Sequence, residues 1–280
     1  MTIALAVKVH DGIVLATDSA VTMSATDTNG MSTFQNTYNN GNKLFNLVKG
    51  QSIGGMVWGA GSIGNASIST LIKDLRKRMT STMPAHLDWH LDPAAYQIEA
   101  VAKKVATFFE EQVVANPTSK PTGGFLVAGY STEGTSAESW LINLVDGHVH
   151  PPVQPFGGPQ EAYCLAYGQP DAAARIMNGV ASGLEAGLKA KGVPDAELAS
   201  FRQSIIEHSS AGLISPAMPI QDAVELAEFL AYATAQFIRF IPGPPTVGGP
   251  IDVAAITKHE GFKWVKRKYY FRDKYNPRNW

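Results

Sequence analysis

Two apolar runs flank an Asp-Gly pair at the very start of the chain, in "TIALAVKVHDGIVLATDS". This arrangement constrains the fold more than any other stretch. Asp-Gly between alternating apolar residues is a strong signal for a two-residue hairpin turn. Residues 2–10 and 13–21 therefore read as paired strands around Asp11-Gly12. Chain ends fray unless they are tied down, so a strand beginning at Ile3 is expected to lie inside a sheet. With Asp11-Gly12 as the turn, Leu5 stands opposite Asp18. Thr2 and Leu5 point to opposite faces, since side chains alternate along a strand. Either a bulge shifts this register, or Asp18 reaches Thr2 only indirectly, through Lys43; the indirect route is expected.

The rest of the chain alternates between strand-like and helix-like blocks. Residues 24–42, "SATDTNGMSTFQNTYNNGN", are polar and rich in Asn, Thr, Ser and Gly, and read as a long loop. "KLFNLV" and "SIGGMVWGAG" read as short strands. From Gly61 the spacing of Ile63, Ile68, Leu71, Ile72 and Leu75 predicts a helix with basic residues in its last turns. Pro84 and Pro93 bracket a loop, and residues 94–115 read as a second helix. "GGFLVAGYST" and "ESWLINLVDGHVHP" are strands, the second turning at Asp146-Gly147. "YCLAYG" is a further strand. Helices are expected at 170–190, 195–210 and 219–240. "PGPPTVGGP" reads as a rigid connector to a last strand, "IDVAAIT". Hairpin-linked strands beside paired helices imply an α+β chain with antiparallel sheets covered by helices. One domain over residues 1–280 is expected, with a polar insertion at 24–42, an extra helical segment at 183–215 and a basic-aromatic tail at 258–280.

Charge and composition exclude several classes. The 280 residues are 45% hydrophobic, enough for a large core, and carry a net charge of −1. No overall basic field favours nucleic acid or an anionic membrane surface. No apolar run reaches transmembrane length, and the start lacks the pattern of a secretory signal. A single cysteine, Cys164, rules out an internal disulfide. These features together fit the cytoplasm. Cys164, inside an apolar run, reads as a core thiol. His86 and His90 have metal-ligand spacing but no third ligand, so no metal is assigned. His148 and His150 flank a hairpin and read as solvent-facing. The tail carries eight Lys/Arg among its aromatics. It is expected to pack on a neighbouring subunit rather than bind nucleic acid, because Tyr, Trp and Arg are enriched at interfaces.

The opening "TIALAVKVHDGIVLATDS" resembles the start of proteasome β-type subunits and the related protease HslV. "NKLFNL", "VWGAGSIGNAS", "LVAGYSTEG", "AYGQPDAA", "IQDAVELAEFLAYATA" and "VGGPIDVAAIT" continue the resemblance in order over about two-thirds of the chain. It implies an N-terminal nucleophile hydrolase αββα sandwich, with two stacked antiparallel sheets between helical layers. It implies a threonine endopeptidase that needs no cofactor. Its substrates would be peptides or unfolded proteins, inside a homo-oligomeric ring, with any ATPase unfoldase partner left open.

The chemistry of the matched residues agrees. Removal of Met1 would leave Thr2 with a free α-amine, which can take the proton from its own hydroxyl. A nearby cation would lower the amine pKa and enlarge its neutral fraction. The resemblance assigns Lys43 as that cation and Asp18 as its anion. Either the amine or Lys43 serves as base. Gly61 is the match for the family's oxyanion donor, with Gly59 as competitor. Helix N-termini present free amides, and "GAGSIG" reads as a strand-to-helix junction.

The chain departs from the family at three places. Ala20 stands where an arginine is usual. "AYGQ" replaces a serine-bearing stretch. "PPTVGG" lacks the family's aspartate and serine. These departures point to a divergent bacterial branch such as the Anbu or β-proteobacterial proteasome homologues. They leave two alternatives open: another acyl transferase or amidohydrolase on the same fold, and a catalytically silent ring subunit.

Overall fold

The computed structural model describes residues 2–26 and 32–268. Strands β1 (Ile3–Val9) and β2 (Gly12–Thr17) form the expected antiparallel hairpin. Its turn is not Asp11-Gly12. Val9 pairs with Gly12, so His10 and Asp11 form the connection and Leu5 faces Ala16. The reason is a third strand. Gly12 also pairs with Thr257 of β13 (Asp252–Thr257), and a Cβ there would come within 2.6 Å of the Ile256 carbonyl oxygen. Glycine is required by close strand approach, not by turn geometry. The second hairpin is as expected. Asp146 and Gly147 have φ of 48° and 80° between paired Val145 and His148, as a type I′ turn needs.

Residues 24–42 are not a long loop. β3 (Val21–Thr26) and β4 (Ser32–Tyr38) pair antiparallel as a separate ribbon, with residues 27–31 outside the described residues. Val21 is half-buried and Tyr38 is exposed. Val21, Met23 and Ala25 do alternate with Thr22, Ser24 and Thr26, a strand signal that the Asn-, Thr- and Gly-rich stretch after it obscures.

β5 (Leu44–Asn46) and β6 (Ile53–Gly59) follow as read. The helix expected from Gly61 begins later. β7 (Ser62–Ile63) and β8 (Ala66–Ser67) form a tight ribbon, and α1 (Ile68–Thr80) starts where the Ser67 hydroxyl accepts from Thr70 N–H. Pro84–Trp89 is a 3-10 helix, and α2 spans Ile98–Ala115. β9 (Gly123–Gly129), β10 (Glu138–Val145), β11 (His148–Val149) and β12 (Tyr163–Gly168) come next. The helix expected at 170–190 is two. α3 (Asp171–Asn178) stops at Gly179, whose φ of 71° caps it, and α4 is Leu184–Ala190. α5 (Asp195–Ser209) and α6 (Ile220–Phe240) complete the helices. Part of the expected 258–280 tail is a strand. Gly261–Lys266 forms β14, paired with β13, and residues 269–280 lie outside the described residues.

One sheet runs β12-β1-β2-β13-β14 and the other β11-β10-β9-β6-β5, all neighbours antiparallel. Three apolar clusters hold them. The outer face of the second sheet packs Phe125 and Val127 against Leu71, Ile72 and Phe108 of α1 and α2. The outer face of the first packs Leu5 and Val14 against Ala227 and Leu230 of α6. Between the sheets, Ala6 and Leu15 meet Met56 and Leu126. The chain is thus a mixed α/β fold with antiparallel sheets and helices. Strands β1 and β2 are buried on both faces, which explains their nearly unbroken apolar runs.

Candidate functional site

Thr2 precedes β1 and is only 3% exposed. Its carbonyl accepts from Gln169 N–H at 2.8 Å, just past the end of β12. Gly168, with φ of 83°, makes this approach possible, since a Cβ there would lie 2.0 Å from the Thr2 oxygen. Thr2 opens on a cleft of about 900 Å³, whose wall also includes Lys43, Trp58, Gly61, Lys73 and Lys120.

Asp18 lies directly after β2 and is fully buried. Its Oδ1 accepts from Lys43 Nζ at 2.7 Å and from Ile3 N–H at 3.1 Å. Its Oδ2 accepts from Ala20 N–H at 3.1 Å and Gly248 N–H at 3.0 Å. Four donors thus hold one buried carboxylate, and one of them comes from the residue after Thr2. Three of these donors are backbone amides, so the carboxylate position is set by the chain path itself. Lys43 precedes β5, and its carbonyl accepts from Val57 N–H at 2.9 Å. Burial lowers the Lys43 pKa below the ordinary lysine value. Asp18 opposes that effect, and the Lys268 cation adds to it.

Asp18 binds Lys43, which shares the cleft with Thr2, and Asp18 also binds Ile3, the residue after Thr2; the register behind the expected detour, Leu5 opposite Asp18, is not the one observed. Gly61 also lines the cleft, but not at a helix start. Its carbonyl accepts from Ile68 N–H at 3.0 Å across the β7–β8 ribbon. Gly59 has a structural reason to be glycine. Its φ is 81°, and a Cβ would meet the Gly123 and Thr122 backbone at 2.5 Å.

The loop "PPTVGG", read as a simple connector, touches the site. Gly248 donates to Asp18, and Ser19 N–H donates to the Gly248 carbonyl at 3.0 Å. The Ser19 hydroxyl donates to the Pro250 carbonyl at 2.6 Å. A backbone amide carries no side-chain signature, so nothing in the sequence marks Gly248. Sequence reading also missed the Asp252–Lys268 pair. Lys268 N–H donates to Asp252 Oδ1 at 2.8 Å and its ammonium pairs with Oδ2. In "AYGQ", Tyr167 stacks on Trp58 with ring centroids 4.1 Å apart and planes 6° apart.

Other candidates do not gather into a site. His90 contacts the Ser81 carbonyl through Nδ1 at 3.0 Å, and no three metal-ligating side chains cluster among the described residues. Cys164 packs beside the first sheet's outer cluster, and burial pushes its thiol up to about 12. No described helix is long and apolar enough to cross a membrane.

Comparison with known proteins bears on the fold. No family model matches the chain, and no curated protein is similar to it. Among solved structures it is similar to Anbu (ancestral β-subunit) from Yersinia bercovieri. The TM-score is 0.54 at 13% identity, over 95% of this chain and 88% of that one. A Gly-1 mutant of Anbu from Hyphomicrobium sp. strain MC1 gives the same score and identity, over 96% and 86%. The fold resembles that of these Anbu structures. At this identity the likeness speaks to architecture and not to chemistry.

Proposed function

We propose that this chain is a threonine peptidase of the N-terminal nucleophile type. One observation carries the reading: Thr2 and Lys43 share a cleft, and the Lys43 ammonium is held by a buried, fully hydrogen-bonded Asp18. On this reading Met1 is removed and the Thr2 hydroxyl attacks a peptide carbonyl. The free α-amine takes the hydroxyl proton, and the Lys43 charge keeps that amine neutral near pH 7. The Gly61 N–H holds the developing oxyanion. Collapse breaks the C–N bond, and the α-ammonium returns its proton to the departing amine. Water, activated by the same amine, then hydrolyses the threonyl ester.

The same reading takes the layers as the αββα sandwich of N-terminal nucleophile hydrolases. It places the protein in a cytoplasmic homo-oligomeric ring that admits peptides or unfolded chains. The likeness to Anbu β-subunits supports this. The test is the intact mass before and after a peptidyl epoxyketone, a reagent that needs both the hydroxyl and the free amine of one threonine. Loss of Met1 and one stoichiometric adduct are expected. Retained Met1 with no adduct would overturn the reading in favour of a silent subunit.

A further inference from the structure

We propose that the cleft selects peptides bearing an acidic side chain, with Lys73 and Lys120 as the residues that determine this preference. The proposal rests on the peptidase reading and names its substrate class. Among the described residues, three lysines and no aspartate or glutamate line the cleft, although the whole chain carries a net charge of −1. The cations on this wall therefore do not follow from the overall charge of the chain. Clefts with low-dielectric walls focus the field of such cations and concentrate ligands of opposite charge.

The three cations are not equivalent. Lys43 is already paired with Asp18 at 2.7 Å. Lys73 projects from α1 into solvent at the cleft and forms no ion pair among the described residues. Among the described residues Lys120 pairs only with Asp146, at 3.7 Å, with both side chains 67% exposed. A pair that long and that exposed is weak, so it yields to a better-placed carboxylate. The Lys120 segment is held in place, because the neighbouring Ser119 hydroxyl accepts from Gly64 N–H at 3.1 Å. The hydroxyls of Ser62, Thr70 and Thr122, also on the wall, can donate to a carboxylate oxygen.

The experiment compares three peptidyl epoxyketones that differ only in a Glu, Leu or Lys residue beside the warhead. Adduct formation is followed by intact mass. In parallel, the Thr2→Ala protein is titrated with fluorescent Glu- and Lys-containing peptides, which reads the cleft's charge without chemistry. The Glu reagent is expected to react fastest and the Lys reagent slowest, with the gap narrowing as salt rises. Lys73→Glu should reduce the Glu-over-Lys ratio by about threefold to tenfold. Equal or faster reaction of the Leu or Lys reagent, or a ratio unchanged in Lys73→Glu, would overturn the proposal. If no reagent reacts while the Glu peptide still binds more tightly than the Lys peptide, the peptidase reading fails and the cleft preference stands. If neither peptide is preferred, the cleft preference fails too.

Discussion

Lys43 Nζ stands 2.7 Å from Asp18 Oδ1, with the two side chains 7% and 0% exposed. Asp18 is in turn bound by the amide of Ile3, the residue after Thr2. One carboxylate therefore fixes both the start of β1 and the cation in the cleft. Breaking a buried ion pair from one side costs about 3–5 kcal/mol, because a desolvated charge is left behind. Asp18→Asn should therefore lower stability by about that amount in urea denaturation at pH 7.

The same variant has a signed pH dependence. Asp18 raises the proton affinity of Lys43, while burial and Lys268 lower it. With Asn at 18 the folded-state pKa falls further below the reference 10.5. The unfolded chain then binds more protons than the folded one between those two values, so stability rises with pH across that window. The deficit of Asp18→Asn relative to the parent protein should shrink as pH is raised from 7 toward 10. A deficit that stays constant would mean that Lys43 is not the charge left unpaired.

Thr2→Ala tests the nucleophile itself. Thr2 borders the cleft and alanine tolerates the same backbone, so the thermal midpoint should move little. Peptide turnover should fall by roughly 10³-fold or more. Turnover close to that of the parent would sink the mechanism.

Gly168→Ala should displace Thr2. It places a Cβ 2.0 Å from the Thr2 carbonyl oxygen, at a backbone φ of 83°. A cost of about 1–3 kcal/mol or more is expected from strain alone, together with loss of epoxyketone labelling. Gly248→Ala is the control. A Cβ there meets open space and the amide that donates to Asp18 is kept, so its stability should stay within about 0.5 kcal/mol of the parent. Differential scanning fluorimetry and adduct mass on the two variants make the comparison.

Lys268→Met removes a cation that lowers the Lys43 pKa. Acylation of Lys43 by an amine reagent, read by peptide mass spectrometry across pH, should shift to higher pH. The variant also strands the buried Asp252 carboxylate. The double variant Asp252→Asn/Lys268→Met should therefore be more stable than Lys268→Met alone, since removing both partners avoids a lone buried charge.

Much of this molecule was legible in the order of its residues. β1, β2, β6, β9, β10, β12 and β13 are short apolar or alternating runs, and burial on a sheet face is what that pattern encodes. α2 and α6 show the helical spacing of a one-sided core contact. Thr2, Asp18, Lys43 and Gly61 could be nominated because the stretches that carry them resemble those of proteasome β-type subunits. The structure places Thr2, Lys43 and Gly61 around one cleft, with Asp18 behind Lys43.

Other features depend on contacts between residues far apart in the chain, and no local pattern records them. The turn sits at His10-Asp11 because β13, some 240 positions later, presses against Gly12. The β3–β4 pairing joins a short alternating run to a polar stretch rich in Asn and Thr, and that polarity reads locally as loop. Gly248 reaches Asp18 across 230 positions through a backbone amide, a group every residue but proline possesses. The Asp252–Lys268 pair joins a strand start to the residue beyond the next strand. The sequence by itself determined which stretches bury apolar surface and which side chains have the right chemistry, because both are properties of residue type and near neighbours. Only the tertiary structure decided the strand register, the four donors on Asp18 and the cationic wall of the cleft, because each is set by distances between segments that meet only when the sheets close.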